Sequence, residues 1–140
     1  MVTTTKELEK ELNTLGSWYY IGRYAINLLA EKYLKGQHDY DEHHVVLSDY
    51  QNMMPKLKKL GIEDGLIVDG RRVTFTSHPD SEPSLQQIGS AWVLDSMQLL
   101  QHYSAKSEGK NNTAHQHVSK IDKLKKIIGQ QLKVIEGKTK

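Results

Sequence analysis

Residues 52–76, NMMPKLKKLGIEDGLIVDGRRVTFT, decide how this chain is read. Leu57 and Leu60 give KLKKLG one apolar stripe, and Gly61 stands where a helix end calls for a left-handed residue. LIV and RVTFT are apolar or β-branched runs that suit strands, and Asp69-Gly70 between them suits a tight turn. The spacing predicts a short basic helix followed by antiparallel strands near 65–68 and 72–76.

Working outward, 140 residues and 16.0 kDa suit a single domain, 1–140, large enough to bury a core without cross-links. Cysteine is absent, which excludes disulfides, thiol catalysis and cysteine-bound zinc. No stretch reads as a signal peptide or as a membrane span, so the expected location is cytoplasmic. The net charge of +2 is unevenly spread. Residues 1–52 carry −3 and residues 77–112 carry −2, whereas residues 53–76 carry +2 and residues 113–140 carry +5. That footprint suits phosphates or an acidic protein surface.

Residues 1–35 are expected to form one long helix. Thr4 and Glu7 fit a capping box, and Leu8, Leu12, Leu15, Tyr19, Gly22, Ile26, Leu29 and Tyr33 recur at steps of four and three. Gly16-Ser17 is a place for a kink or break, and Trp18, Tyr19, Tyr20 and Tyr24 read as core and its rim. The seam before Trp18 exceeds what one small domain readily covers. A homodimer is therefore expected, through Leu8–Leu15 or through the last helix.

Residues 39–76 read as a helix-turn-helix plus hairpin. Asp39 with Glu42 would start a helix at Tyr40 running to about Leu47, although His-Val-Val-Leu also has strand character. Ser48 with Gln51 would start the next helix, inside which Pro55 costs ~3 kcal/mol unless the helix begins near Asn52. Residues 84–138 read as two more helices. One starts at Ser84 and aligns Leu85, Ile88, Trp92, Ser96, Leu99 and Tyr103. The other carries Ala114, Ile121, Ile128 and Ile135 on one side and Lys120, Lys123, Lys126 and Lys133 on the other.

The densest chemical cluster is His38-Asp39-Tyr40-Asp41-Glu42-His43-His44, which offers a metal-binding or enzymatic reading. Its spacings fit a polar loop with capping residues better than a ligand set, and His-Glu-x-x-His is absent. Neither a Walker loop, Gly-x-Gly-x-x-Gly nor Gly-x-Ser-x-Gly occurs. The expectation is a protein with no catalytic residues, no metal and no cofactor.

Leu57, Leu60, Gly65-Leu66-Ile67 and Arg71-Arg72 together resemble the recognition-helix-plus-wing half of winged helix-turn-helix DNA-binding regulators. The resemblance spans residues 39–76 at most. It implies a helix-dominated, winged-helix-like α+β fold with about five helices and one small antiparallel hairpin. It further implies that Gln51, Asn52, Lys56, Lys58 and Lys59 face double-stranded DNA while Arg71 and Arg72 grip phosphate from the wing. The function expected from it is a small basic DNA-binding regulator involved in transcription. The alternative is a protein-binding adaptor or inhibitor of the kind found in phage and mobile elements, docking on a larger partner. The lysine face of the last helix is a secondary basic surface.

Overall fold

Trp18-Tyr19-Tyr20-Ile21 is an aromatic and β-branched run of the kind that packs well in an extended chain. In the computed structural model it forms strand β1 (Trp18–Ile21), near the middle of a sheet. The structure describes residues 2–34, 42–77, 83–107 and 114–139, with side chains throughout except at 105–107, 114–119 and 134–139.

The single helix expected over residues 1–35 is therefore corrected. Helix α1 (Thr5–Leu15) opens with the expected capping box: Glu7 N–H donates to Thr4 Oγ1 at 3.2 Å, and Thr4 N–H donates to Glu7 Oε1 at 3.1 Å. It stops at Gly16, and after β1 the chain resumes as α2 (Gly22–Tyr33). Leu8 and Leu12 lie on the buried side of α1, and Ile26 and Leu29 on that of α2. The steps of four and three thus mark two separate helices. The strand between them buries three consecutive aromatic residues, Trp18, Tyr19 and Tyr20, which only a strand covered on both faces allows.

The remaining elements are β2 (His43–Leu47), α3 (Tyr50–Lys59), β3 (Ile67–Val68), β4 (Arg71–Ser77), β5 (Leu85–Ile88), β6 (Ala91–Leu94), α4 (Ser96–Ser107) and α5 (Ala114–Thr139). They form a six-stranded sheet of order β3-β4-β2-β1-β6-β5. β2 runs parallel to β4 and β1 parallel to β6, while the other three pairings are antiparallel. A mixed sheet with two parallel pairs replaces the winged-helix-like expectation of one small hairpin beside helices.

Two further assignments change. Within the helix expected from Tyr40 to Leu47, residues His43–Leu47 form strand β2, so the strand character of His-Val-Val-Leu prevails; Asp39, Tyr40 and Asp41 lie outside the described residues. The long helix expected from Ser84 is a hairpin, β5–β6, followed by the shorter α4. Leu85, Ile88 and Trp92 satisfied a helical spacing, but Gly89-Ser90 forms a two-residue turn between strands that pair Leu85 with Leu94 and Ile88 with Ala91. The periodicity and the turn competed, and the turn won because pairing extends the sheet beyond β1.

The α3–hairpin stretch folds as its residues suggest locally. Ile62 N–H donates to the Leu57 carbonyl at 2.9 Å and Gly61 N–H to the Lys58 carbonyl at 3.0 Å, with Gly61 at φ +79°. This closes α3 in a Schellman turn, and Leu57 and Ile62 are both fully buried beneath it. Pro55 lies inside α3 on its exposed side, where water can reach the carbonyl left without a donor. β3 and β4 pair antiparallel around Asp69-Gly70, whose φ angles are +50° and +78°.

Leu8 and Leu12 are sealed within the chain's own core, so the seam that motivated a homodimer through α1 is already covered. On α5 the deepest side chains are Leu124 and Ile127, and only Leu132 among its described large apolar residues is well exposed. No described helix is long and apolar enough to cross a membrane.

Positive φ at both turn positions makes Gly70 intolerant of β-branching. Gly70→Val is expected to cost about 1–3 kcal/mol and to lower the urea midpoint. An unchanged midpoint would show that the turn does not need this geometry.

Candidate functional site

Helix α3 turns Met53, Met54 and Leu57 inward. At 100° per residue, Gln51, Asn52, Pro55, Lys56, Lys58 and Lys59 then share an outward arc of roughly 160°. All six are exposed. The three ammonium groups therefore form one continuous cationic face with two amide side chains at its N-terminal end. One of those amides is held locally: Asn52 Nδ2 donates to Asp49 Oδ2 at 2.8 Å.

The two arginines do not extend this face together. Neighbours on a strand point to opposite sides of the sheet. Arg72 is exposed, whereas Arg71 is half-buried and lines a cleft of about 550 Å³ with Thr5, Lys6, Tyr24, Glu31 and Asp69. The lysine side of α5 is also divided. Lys123 Nζ donates to the buried Asn27 Oδ1 at 2.7 Å, and Lys120 Nζ sits 4.8 Å from the centre of the Tyr103 ring. Lys126 and Lys133 remain exposed.

His43 and His44 point to opposite faces of β2, so they cannot serve one ligand set. Of the rest of the histidine-rich cluster, Glu42 is exposed, and His38 to Asp41 lie outside the described residues. Among the described residues no group of three or more histidines and carboxylates could hold a metal ion.

A buried polar cluster was not anticipated. Glu9 on α1 is only 4% exposed, and it accepts from Tyr20 Oη at 2.8 Å and from Ser90 Oγ at 2.6 Å. Tyr24 stacks on His43 with ring centres 4.0 Å apart and meets Tyr20 edge-on at 4.6 Å. His43 Nε2 and Thr5 Oγ1 share a hydrogen bond of 3.0 Å, while the buried His43 Nδ1 has no partner among the described residues. Thr5 N–H donates to Asp69 Oδ2 at 2.8 Å, and Thr5 holds that carboxyl below the usual carboxylate range.

The electrostatics follow from burial. Loss of water, then the nearby Glu9, pushes the Tyr20 phenol far above its ordinary value and that of Tyr24 up to about 12. Burial, then the Arg71 guanidinium, lowers His43 to about 4. These groups brace α1 against β1 and β2. His43 and Tyr20 have no exposed surface, so a substrate cannot reach them in this conformation. The sequence carried one signal for His43: it alternates with Val45 and Leu47, which marks it as inward-facing. Glu9 left none, because an acidic residue beside Leu8 on an amphipathic helix reads as solvated.

The depressed His43 gives a pH dependence of defined sign. Below about pH 6.5 the unfolded chain binds a proton that the folded chain excludes. Stability should be level above that pH and should fall as the pH drops towards 4. The loss is on the order of 2 kcal/mol after allowance for partial solvation. Thermal melts of wild type and His43→Phe across this window test it; an equal decline in both would assign the effect elsewhere.

Comparison of the chain with protein-family models, with curated proteins and with solved structures gives no match, so the functional reading rests on this geometry alone.

Proposed function

We propose that the protein is a small DNA-binding regulator that holds the phosphodiester backbone with the outward side of α3. The observation that carries this reading is the continuous face bearing Lys56, Lys58 and Lys59, all exposed on one short helix. Three cations on a rigid element can neutralise neighbouring phosphates and release their counterions. Gln51, at the start of the same face, has an amide group capable of pairing with base edges, and Asn52 can do so by exchanging its bond to Asp49. Arg72 supplies a further exposed cation on β4; Arg71, drawn into the α1 cleft, is left out of the contact.

A protein-binding adaptor is the second reading, favoured by one observation. Leu60, at the C-terminal end of α3, is 46% exposed, and Ile67 on the edge strand β3 is 53% exposed. An exposed leucine at the end of a cationic helix and an exposed isoleucine paired with Arg72 suit an acidic protein partner with an apolar centre.

The two readings separate in a titration of duplex DNA at several salt concentrations. With about three phosphates neutralised, log affinity should fall with log salt at a slope near −3. Changing Lys56, Lys58 and Lys59 together to alanine should weaken binding and flatten the slope by about two units or more. Leu60→Ser with Ile67→Ser should leave DNA affinity unchanged. Absence of duplex binding at about 10 µM protein in low salt would overturn α3 as a duplex-binding surface, and binding indifferent to the triple substitution would move the site away from α3.

A further inference from the structure

A pocket of about 250 Å³ is lined by Asn13, Gly16, Ser17, Trp18, Leu85 and Trp92. The chain has two tryptophans, and both are here. Trp18 is almost fully buried, with its Nε1–H donated to Asn13 Oδ1 at 2.8 Å, while Trp92 and Leu85 are half-buried. Exposed Asn13 and Ser17 put hydrogen-bonding groups on the rim of an otherwise aromatic and apolar site.

This pocket adjoins the start of α3. The Ser17 carbonyl accepts from Ser48 N–H at 3.0 Å and from Ser48 Oγ at 2.7 Å, immediately before the helix. At Gly16 the chain lies so close to α3 that a Cβ there would come within 3.2 Å of Met53 Sδ. The rim of the pocket is thus fastened to the first turn of the helix whose later turns carry the lysines. With a rise of about 1.5 Å per residue, Lys56 to Lys59 lie roughly 5–10 Å farther along the axis than Met53 and on the outward side of the helix, whereas Met53 faces inward.

We infer that this pocket receives an unpaired nucleobase, and that the α3 face holds single-stranded nucleic acid in preference to a duplex. The inference rests on the reading of α3 as a phosphate-binding surface. A planar heterocycle matches an aromatic pocket with a polar rim, and the α3 cations, one to two turns beyond Met53, suit phosphates of the nucleotides next along the strand. Base–aromatic stacking is tolerant of base identity and accompanies a basic track in single-strand binders. A paired base cannot enter, because its edge and faces are already occupied.

The test uses the full chain with three probes of equal length: a single-stranded oligothymidylate, its abasic counterpart and a blunt duplex. Oligothymidylate should quench the tryptophan fluorescence, which reports on this pocket, and should bind about tenfold more tightly than the abasic strand. Trp92→Ala should remove most of that difference while duplex affinity stays the same. Should the variant fold poorly, quenching of the wild-type tryptophan fluorescence by oligothymidylate and not by the abasic strand decides the matter, because both tryptophans line this pocket. Equal affinity for those two strands, or a duplex bound more tightly than oligothymidylate, would overturn the pocket inference and leave the α3 surface standing. No binding to any of the three would remove both.

Discussion

Glu9 carries a carboxylate into a part of the protein from which water is nearly absent, and two hydroxyls make that tolerable. A buried charge without donors costs several kcal/mol, so Tyr20 and Ser90 are required wherever Glu9 goes. The three residues come from α1, from β1 and from the turn between β5 and β6. One acceptor therefore fixes a helix to an inner strand of the sheet and to the hairpin at its edge. The fully buried Leu8 and Leu12 lie on the same helix, and their packing depends on the placement that the bonds impose.

The candidate surface inherits its geometry from that arrangement. With α1 held against the sheet, Gly16-Ser17 must turn back beside Ser48 and Met53, which sets where α3 begins. Inward Met53, Met54 and Leu57 then fix the rotation of α3, and the lysines are outward as a consequence. The tryptophan pocket arises at the same junction, between the end of α1, β1 and the β5–β6 hairpin. The outward surface of α3 and the tryptophan pocket are linked because one short loop, Gly16-Ser17, touches both elements.

His43 illustrates how the same packing takes a polar group away from the surface. Its ring lies between Tyr24 and Thr5 on the sheet face that α1 covers, where neutrality is favoured. Histidines attract attention as ligands or bases, yet this one is enclosed and His44 points to the other face of the strand. Likewise Lys120 and Lys123, which look like part of a basic stripe, engage Tyr103 and Asn27 within the body of the protein.

Local chemistry determined the pieces whose partners are near in sequence. The capping box at Thr4–Glu7, the Schellman turn at Gly61, the Asp69-Gly70 hairpin and the outward lysines of α3 were all legible, because each depends on contacts within a few residues. The sheet was not. A spacing of four and three through Trp18–Ile21 and through Leu85–Trp92 is compatible with a helix as well as with a strand beside one. The choice depended on pairing between Tyr20 and Val93, and between His43 and Val73, partners far apart along the chain. The same distance hid the Glu9–Ser90 bond and the tryptophan pocket. Composition and turn chemistry set the local elements, and tertiary structure alone decided which residues share a surface, because a strand's face exists only once its neighbours have paired.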